Sequence, residues 1–172
     1  RDLEKMIDAR GKDVVIDEVA YTWFNRFCAL RFMDVNHYNQ VGIVSPAEGQ
    51  VQPEILSEAK MGIFDTEVVP PQTRQKITDL LSGRLQSRDA QGEAYRLLLV
   101  SYCNHLYKAL PFLFERITDY TELLMPTGLL AVNSVLAECR KVLTAEACKD
   151  VEVIGWLYQY YISERKDEVF KN

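Results

Sequence analysis

Two aromatic-dense segments constrain this chain more than any other feature of its sequence. The first runs Tyr21-Thr-Trp-Phe-Asn-Arg-Phe-Cys-Ala-Leu-Arg-Phe-Met33, and the second runs Val151-Glu-Val-Ile-Gly-Trp-Leu-Tyr-Gln-Tyr-Tyr-Ile-Ser-Glu-Arg165. Placed on a helix at about 100° per residue, the second leaves only Glu152, Gly155, Gln159 and Ser163 on a narrow polar strip. A helix that is apolar around most of its circumference belongs in an interior. Both segments therefore predict packed helices, with the C-terminal one at the centre of the fold. Gly155 in mid-helix costs about 1 kcal/mol against alanine, and a close helix crossing there accounts for it.

The remaining punctuation fits a chain of helices. Leu3, Met6 and Ile7 share one helical face, and Gly11 reads as its C-cap. The main early helix is expected from Asp13 or Asp17 to about Asn36, with Val19, Ala20, Trp23, Phe24, Phe27 and Leu30 on its apolar face. Residues 39–53, with Gly42, Pro46, Gly49 and Pro53, read as a loop, and Ile43-Val44 as a short extended stretch within it. A short helix runs from Pro53 to Lys60. Pro70-Pro71 marks a bend and a new start. A helix is expected over Thr73–Leu85, with Ile77, Leu80, Leu81 and Leu85 in register. Asp89 is placed to N-cap a helix reaching about Leu110, where Pro111 ends it, and Glu93 stands near the capping-box position. Leu129–Val142 reads as helix with Val132, Val135, Leu136 and Cys139 inward, and Asp150 caps the last helix, which reaches about Phe170. No convincing β-alternation is present. The predicted class is all-α, an irregular multi-helix bundle in one domain over residues 1–172.

Net charge is −5. Phosphate contacts supply most of the affinity of a dedicated DNA-binding module, which is usually basic, so this balance argues against one without excluding a local basic strip. Such a strip exists in the middle of the chain, where Arg74, Lys76, Arg84, Arg88 and Arg96 cluster, diluted by Asp79, Asp89 and Glu93. They are candidate contacts to a DNA backbone or an acidic partner; a solvated face is the plain alternative. Arg26, Arg31 and Asp34 are the other charged group of interest. Arg31 and Asp34 are spaced i, i+3 and are expected to pair. Arg26 borders the apolar face, either as a structural charge or as a reach toward phosphate or an acidic partner.

Catalytic and metal motifs do not emerge. The sequence holds no G-x-G and no G-x-S-x-G. His37 and His105 lack partners at ligand spacing; His105 reads as a core histidine, and His37 as a residue at a helix C-terminus. Cys28, Cys103, Cys139 and Cys148 form no C-x-x-C pair; Cys28 and Cys103 sit in apolar helical contexts and read as buried free thiols, Cys139 and Cys148 could in principle meet across a turn as a disulfide, and a reducing cytoplasm is the simplest compartment. The longest apolar run, Leu97–Val100, is far too short to span a bilayer. Trp23, Trp156, Tyr158, Tyr160 and Tyr161 resemble a stacking platform only superficially, because no basic residues interleave with them.

Three separated strings carry a family resemblance: Tyr21-Thr-Trp-Phe-Asn-Arg with Cys28-Ala-Leu-Arg-Phe-Met33, then Ala109-Leu-Pro-Phe-Leu-Phe-Glu115, then Glu152 through Phe170. In order and approximate spacing they resemble the PglX family, the large adenine-specific DNA methyltransferases of BREX phage-defence systems. The resemblance covers the helical region ahead of the methyltransferase domain and is poor over residues 39–90. It implies a parent enzyme that methylates adenine N6 with S-adenosylmethionine, acts on DNA, and works beside other BREX proteins. The family's Asn-Pro-Pro-Tyr motif is absent here, since Pro70-Pro71 is flanked by Val69 and Gln72, so no catalytic or cofactor residue carries over. The opening at Arg1, directly into a helical pattern, fits a piece of a longer protein.

The expectation is a non-catalytic helical domain of a PglX-like methyltransferase that supports the enzyme or contacts DNA or partner proteins. The alternative is a free-standing helical adaptor or regulatory protein with a protein-docking role.

Overall fold

The computed structural model describes residues 2–110, 114, 117, 120–153 and 155. Seven α-helices occur among them: α1 (Asp2–Arg10), α2 (Lys12–Val35), α3 (Glu54–Lys60), α4 (Pro71–Leu81), α5 (Ala90–Tyr107), α6 (Tyr120–Leu123) and α7 (Val135–Val142). A 3₁₀ turn follows at Ala147–Lys149. No sheet is present among the described residues; one isolated antiparallel bridge joins Pro46 and Pro53. The all-α expectation holds. The expected helix through Trp156, Tyr158, Tyr160 and Tyr161 lies outside the described residues, as does most of the 109–115 string.

Among the described residues, the interior is organised by α2. Val15, Val19, Trp23 and Phe27 recur every four residues and are buried, followed by Leu30. This i, i+4 stripe follows from the 3.6-residue turn. It runs slightly off the predicted face: Ala20 is exposed and Phe24 is at the surface. From Arg26 to Leu30 every residue is buried, so this half of the helix is enclosed on all sides. Trp23 is fully buried, and its indole Nε1 donates to the Thr121 carbonyl at 2.7 Å. Removing an indole-sized surface from water is worth about 4 to 6 kcal/mol as an upper bound.

α4 packs on α5, α3 on both, and α7 on α2. α4 begins where the proline pair predicts, with Pro70 extended and Pro71 in the first turn. It stops at Leu81, earlier than expected, because Gly83 adopts φ 75° and the Leu85 amide turns back to the Asp79 carbonyl at 2.9 Å. Leu85 is consequently 42% exposed rather than inward. Asp89 caps α5 as predicted, accepting from the Gly92 amide at 2.9 Å. α7 is shorter than expected: Ser134 caps it, accepting from the Ala137 amide at 3.2 Å, and Val132, predicted inward, lies outside the helix at 85% exposure.

Candidate functional site

The loop after α2 is the node on which four helices converge. Ile43 and Val44 are fully buried although they belong to no strand. A buried loop is stable only if its backbone polar groups find partners, and here residues 42–45 find all of them. The Gly42 amide donates to Glu54 Oε2 at 2.7 Å. The amides of Ile43, Val44 and Ser45 donate to the Asp34 carboxylate at 3.0, 2.8 and 2.9 Å. The four carbonyls accept from the Ile55 amide (3.0 Å), the Tyr95 hydroxyl (2.8 Å), Arg140 Nη1 (3.1 Å) and the Glu54 amide (3.0 Å). Successive amides converging on one anion form a small concave anion site, and Asp34 fills it from within the chain. Asn39 Nδ2 and Ser45 Oγ add two further donors, at 2.7 and 2.9 Å.

The expected Arg31–Asp34 pair is therefore replaced by a relay. Arg31 Nη1 donates to Ser45 Oγ at 2.6 Å, and Ser45 Oγ donates to Asp34. Arg31 Nε reaches across to the Leu143 carbonyl at 3.0 Å, tying α2 to the end of α7. Burial lowers the Arg31 pKa, partly countered by the charge of Asp34. The three amides outcompete Arg31 for the carboxylate because they are already fixed in place by the loop. Tyr95, wholly enclosed, has its hydroxyl pKa pushed well up by burial and by the charge of Asp34. The polar groups of this node bond to one another, which makes it a structural clamp rather than a reaction centre.

Arg26 is 2% exposed, with its guanidinium carbon 4.9 Å from the centre of the Trp23 ring. That geometry is a cation–π contact in the interior, and it withdraws Arg26 from the surface set of candidate phosphate contacts. The remaining candidates lie on α4 and the turn to α5. Lys76, Arg84 and Arg88 are exposed and Arg74 is half-buried. Arg84 Nε pairs with Asp79 at 2.8 Å, so part of its charge is spent locally. Arg96, which also belongs to this basic stretch, is a strut: it donates to the carbonyls of Met125 and Glu122 at 3.3 and 3.0 Å.

His37 takes φ 56° in the left-handed region just beyond α2, a helix-terminal role as expected. His105 is half-buried and lines a cleft, with its Nδ1 buried and without a hydrogen-bond partner. The cysteines are free and buried. Hydrogen bonding with Cys139 and burial push the Cys28 thiol far up; burial pushes Cys103 up to about 12. No group of three metal-binding side chains occurs among the described residues, and none of their helices is long and apolar enough to cross a membrane.

The cleft, which sequence reasoning missed, has a volume of about 870 Å³ and opens between the 38–41 loop, α3, the 63–69 loop and α5. Its floor is formed by Ile55, Val69 and Leu98, and its walls by Tyr38, Phe64 and Tyr102. Its residues come from four separated stretches of chain, so no local pattern announces it. The Tyr102 hydroxyl donates to Asn39 at 3.2 Å, and burial with the charges of Asp34 and Asp65 raises its pKa to about 12.

Among the described residues, the fold is helical and knit by an internal carboxylate clamp, with an exposed basic strip and a large cleft. No protein-family model matches the chain. It is 39% identical over 171 residues to the adenine-specific methyltransferase BrxX of Escherichia coli O9:H4 (strain HS), covering 97% of this chain and 13% of that protein. It is 37% identical over 164 residues to the adenine-specific methyltransferase PglX of Lacticaseibacillus casei (strain Zhang), covering 91% of this chain and again 13% of the relative. The resemblance read from three short strings thus extends over nearly the whole chain, which spans about an eighth of the length of these curated relatives.

Proposed function

We propose that this chain is a non-catalytic helical domain of a PglX-like adenine-N6 DNA methyltransferase of a BREX phage-defence system, working in the cytoplasm. It supports the enzyme and offers a weak contact to the DNA backbone through Arg74, Lys76, Arg84 and Arg88. S-adenosylmethionine and the target adenine are handled by other parts of the longer protein, and other BREX proteins are its natural neighbours. The observation that carries this reading is the match of nearly the whole chain to two methyltransferases, 13% of whose length it covers. The exposure of Lys76, Arg84 and Arg88 on one helix and its following turn supports the contact surface.

Fluorescence anisotropy of labelled duplex DNA tests the contact. Weak binding at low salt is expected, with a log–log salt slope of about −2 to −4 for two to four neutralised phosphates. Combining Lys76→Glu with Arg88→Glu should abolish it while leaving the helical circular-dichroism signal intact. Absence of binding by the unaltered chain at low salt removes DNA contact and leaves support or protein docking.

A further inference from the structure

The cleft between α3 and α5 carries an inference independent of the DNA contact. Its volume lies within the range of ligand-sized clefts, about 300 to 1,000 Å³. Its charge is of one sign. Glu58, Asp65 and Glu67 line it, and among its described lining residues there is no lysine or arginine. Two exposed apolar side chains stand in its lining: Tyr38 is 65% exposed and Ile63 53%. Large exposed apolar side chains on a concave surface mark interaction sites.

A phosphate backbone is repelled by such a lining, and a small apolar ligand leaves the carboxylates without partners. A cationic side chain enters between the aromatic walls, where ring faces and carboxylates both favour it. Its apolar neighbours in sequence then cover Tyr38 and Ile63. We propose that this cleft docks a lysine- or arginine-bearing peptide segment, flanked by apolar residues, of a partner protein. The fold pays for readiness at Glu58, whose pKa is raised by burial and by the neighbouring Glu54. An incoming cation relieves that unfavourable burial of charge.

The test uses the full chain and a short fluorescein-labelled peptide of alternating lysine and leucine, with alternating glutamate and leucine as its counterpart. Anisotropy should show saturable one-to-one binding of the basic peptide, weakening as salt rises. Glu58→Gln combined with Glu67→Gln should weaken it about fivefold or more. Ile63→Ala combined with Tyr38→Ala should weaken it by a similar factor. Glu138→Gln combined with Glu146→Gln, which removes equal charge from α7 and the turn after it, should leave binding unchanged. Equal loss from both glutamate pairs, or equal binding of the acidic peptide, means attraction by general surface charge and overturns the proposal. Competition by spermidine at the peptide's own concentration assigns the cleft to small polyamines and overturns it as well. So does a dimer in sedimentation that Ile63→Asp dissociates, since a second copy then covers Ile63. Loss of peptide binding with DNA binding retained, or the reverse, separates this inference from the contact on α4.

Discussion

At the scale of single residues, Asp34 is the side chain on which most depends. One carboxylate receives three backbone amides, an asparagine amide and a serine hydroxyl. Asp34→Ala leaves those three amides in a loop that is closed to water, and a hydrogen bond to a charged group contributes about 1.5 to 3 kcal/mol. Even with strong non-additivity, a loss of about 3 kcal/mol or more is expected in urea unfolding, with Asp34→Asn retaining part of it. A loss under 1 kcal/mol means the loop finds another anchor. Trp23→Phe should cost about 1 to 3 kcal/mol, because it keeps a ring beside Phe27 but leaves the Thr121 carbonyl without its donor. Glu58 gives a pH-dependent effect. Its pKa is raised in the fold, so its contribution to stability is full below the ordinary carboxylate range and falls as pH rises through the higher folded value. Glu58→Gln should therefore stabilise the chain at neutral pH, by less than about 1 kcal/mol given its partial exposure, and have no effect in acid. Denaturant midpoints at the two pH values check the sign.

At the scale of elements, the starts of α4 and α5 were legible, whereas the end of α4 and the start of α7 were not. Asp89 and Pro70-Pro71 act through covalent geometry and side-chain capping within one turn, and the structure has α5 and α4 start there. The end of α4 and the start of α7 depended on where the neighbouring segments had to go. Gly83 turns the chain out of α4 and exposes Leu85. Ser134 starts α7 late, leaving Val132 in a turn although its spacing matched the helix that follows. The cap of α5 is also vulnerable in an unusual way: a Cβ at Gly92 would collide with the Asp89 carboxylate that accepts its amide. Gly92→Ala, ordinarily favourable inside a helix, should instead cost about 1 kcal/mol by displacing the cap. A thermal melt unchanged or raised by that variant would show that the carboxylate swings aside without loss.

At the scale of the whole molecule, the candidate site divides in the same way. The basic strip was readable because its members are near in sequence. Arg26 was not, because its side chain's fate depends on Trp23 and on everything that closes over that face. The cleft was invisible for the same reason, being assembled from the 38–41 loop, α3, the 63–69 loop and α5. The thiols offer a global measure of this packing. With Cys28, Cys103, Cys139 and Cys148 all buried, a thiol reagent at neutral pH should react with the native chain only as it opens, and with all four thiols after denaturation. Rapid reaction of a native thiol would mark the first segment to loosen.

By itself the sequence determined the all-α class, the starts of α4 and α5, and the kinship with adenine-specific methyltransferases. Each rests on local chemistry or on strings of neighbouring residues. Tertiary structure alone decided that Asp34 holds a buried loop instead of Arg31, that Arg26 lies over an indole, and that four distant stretches enclose an acidic cleft. The physical reason is one of range. Caps and periodicity act within a few residues, whereas the partner of a buried charge is whichever group the folded chain brings nearest and holds most firmly.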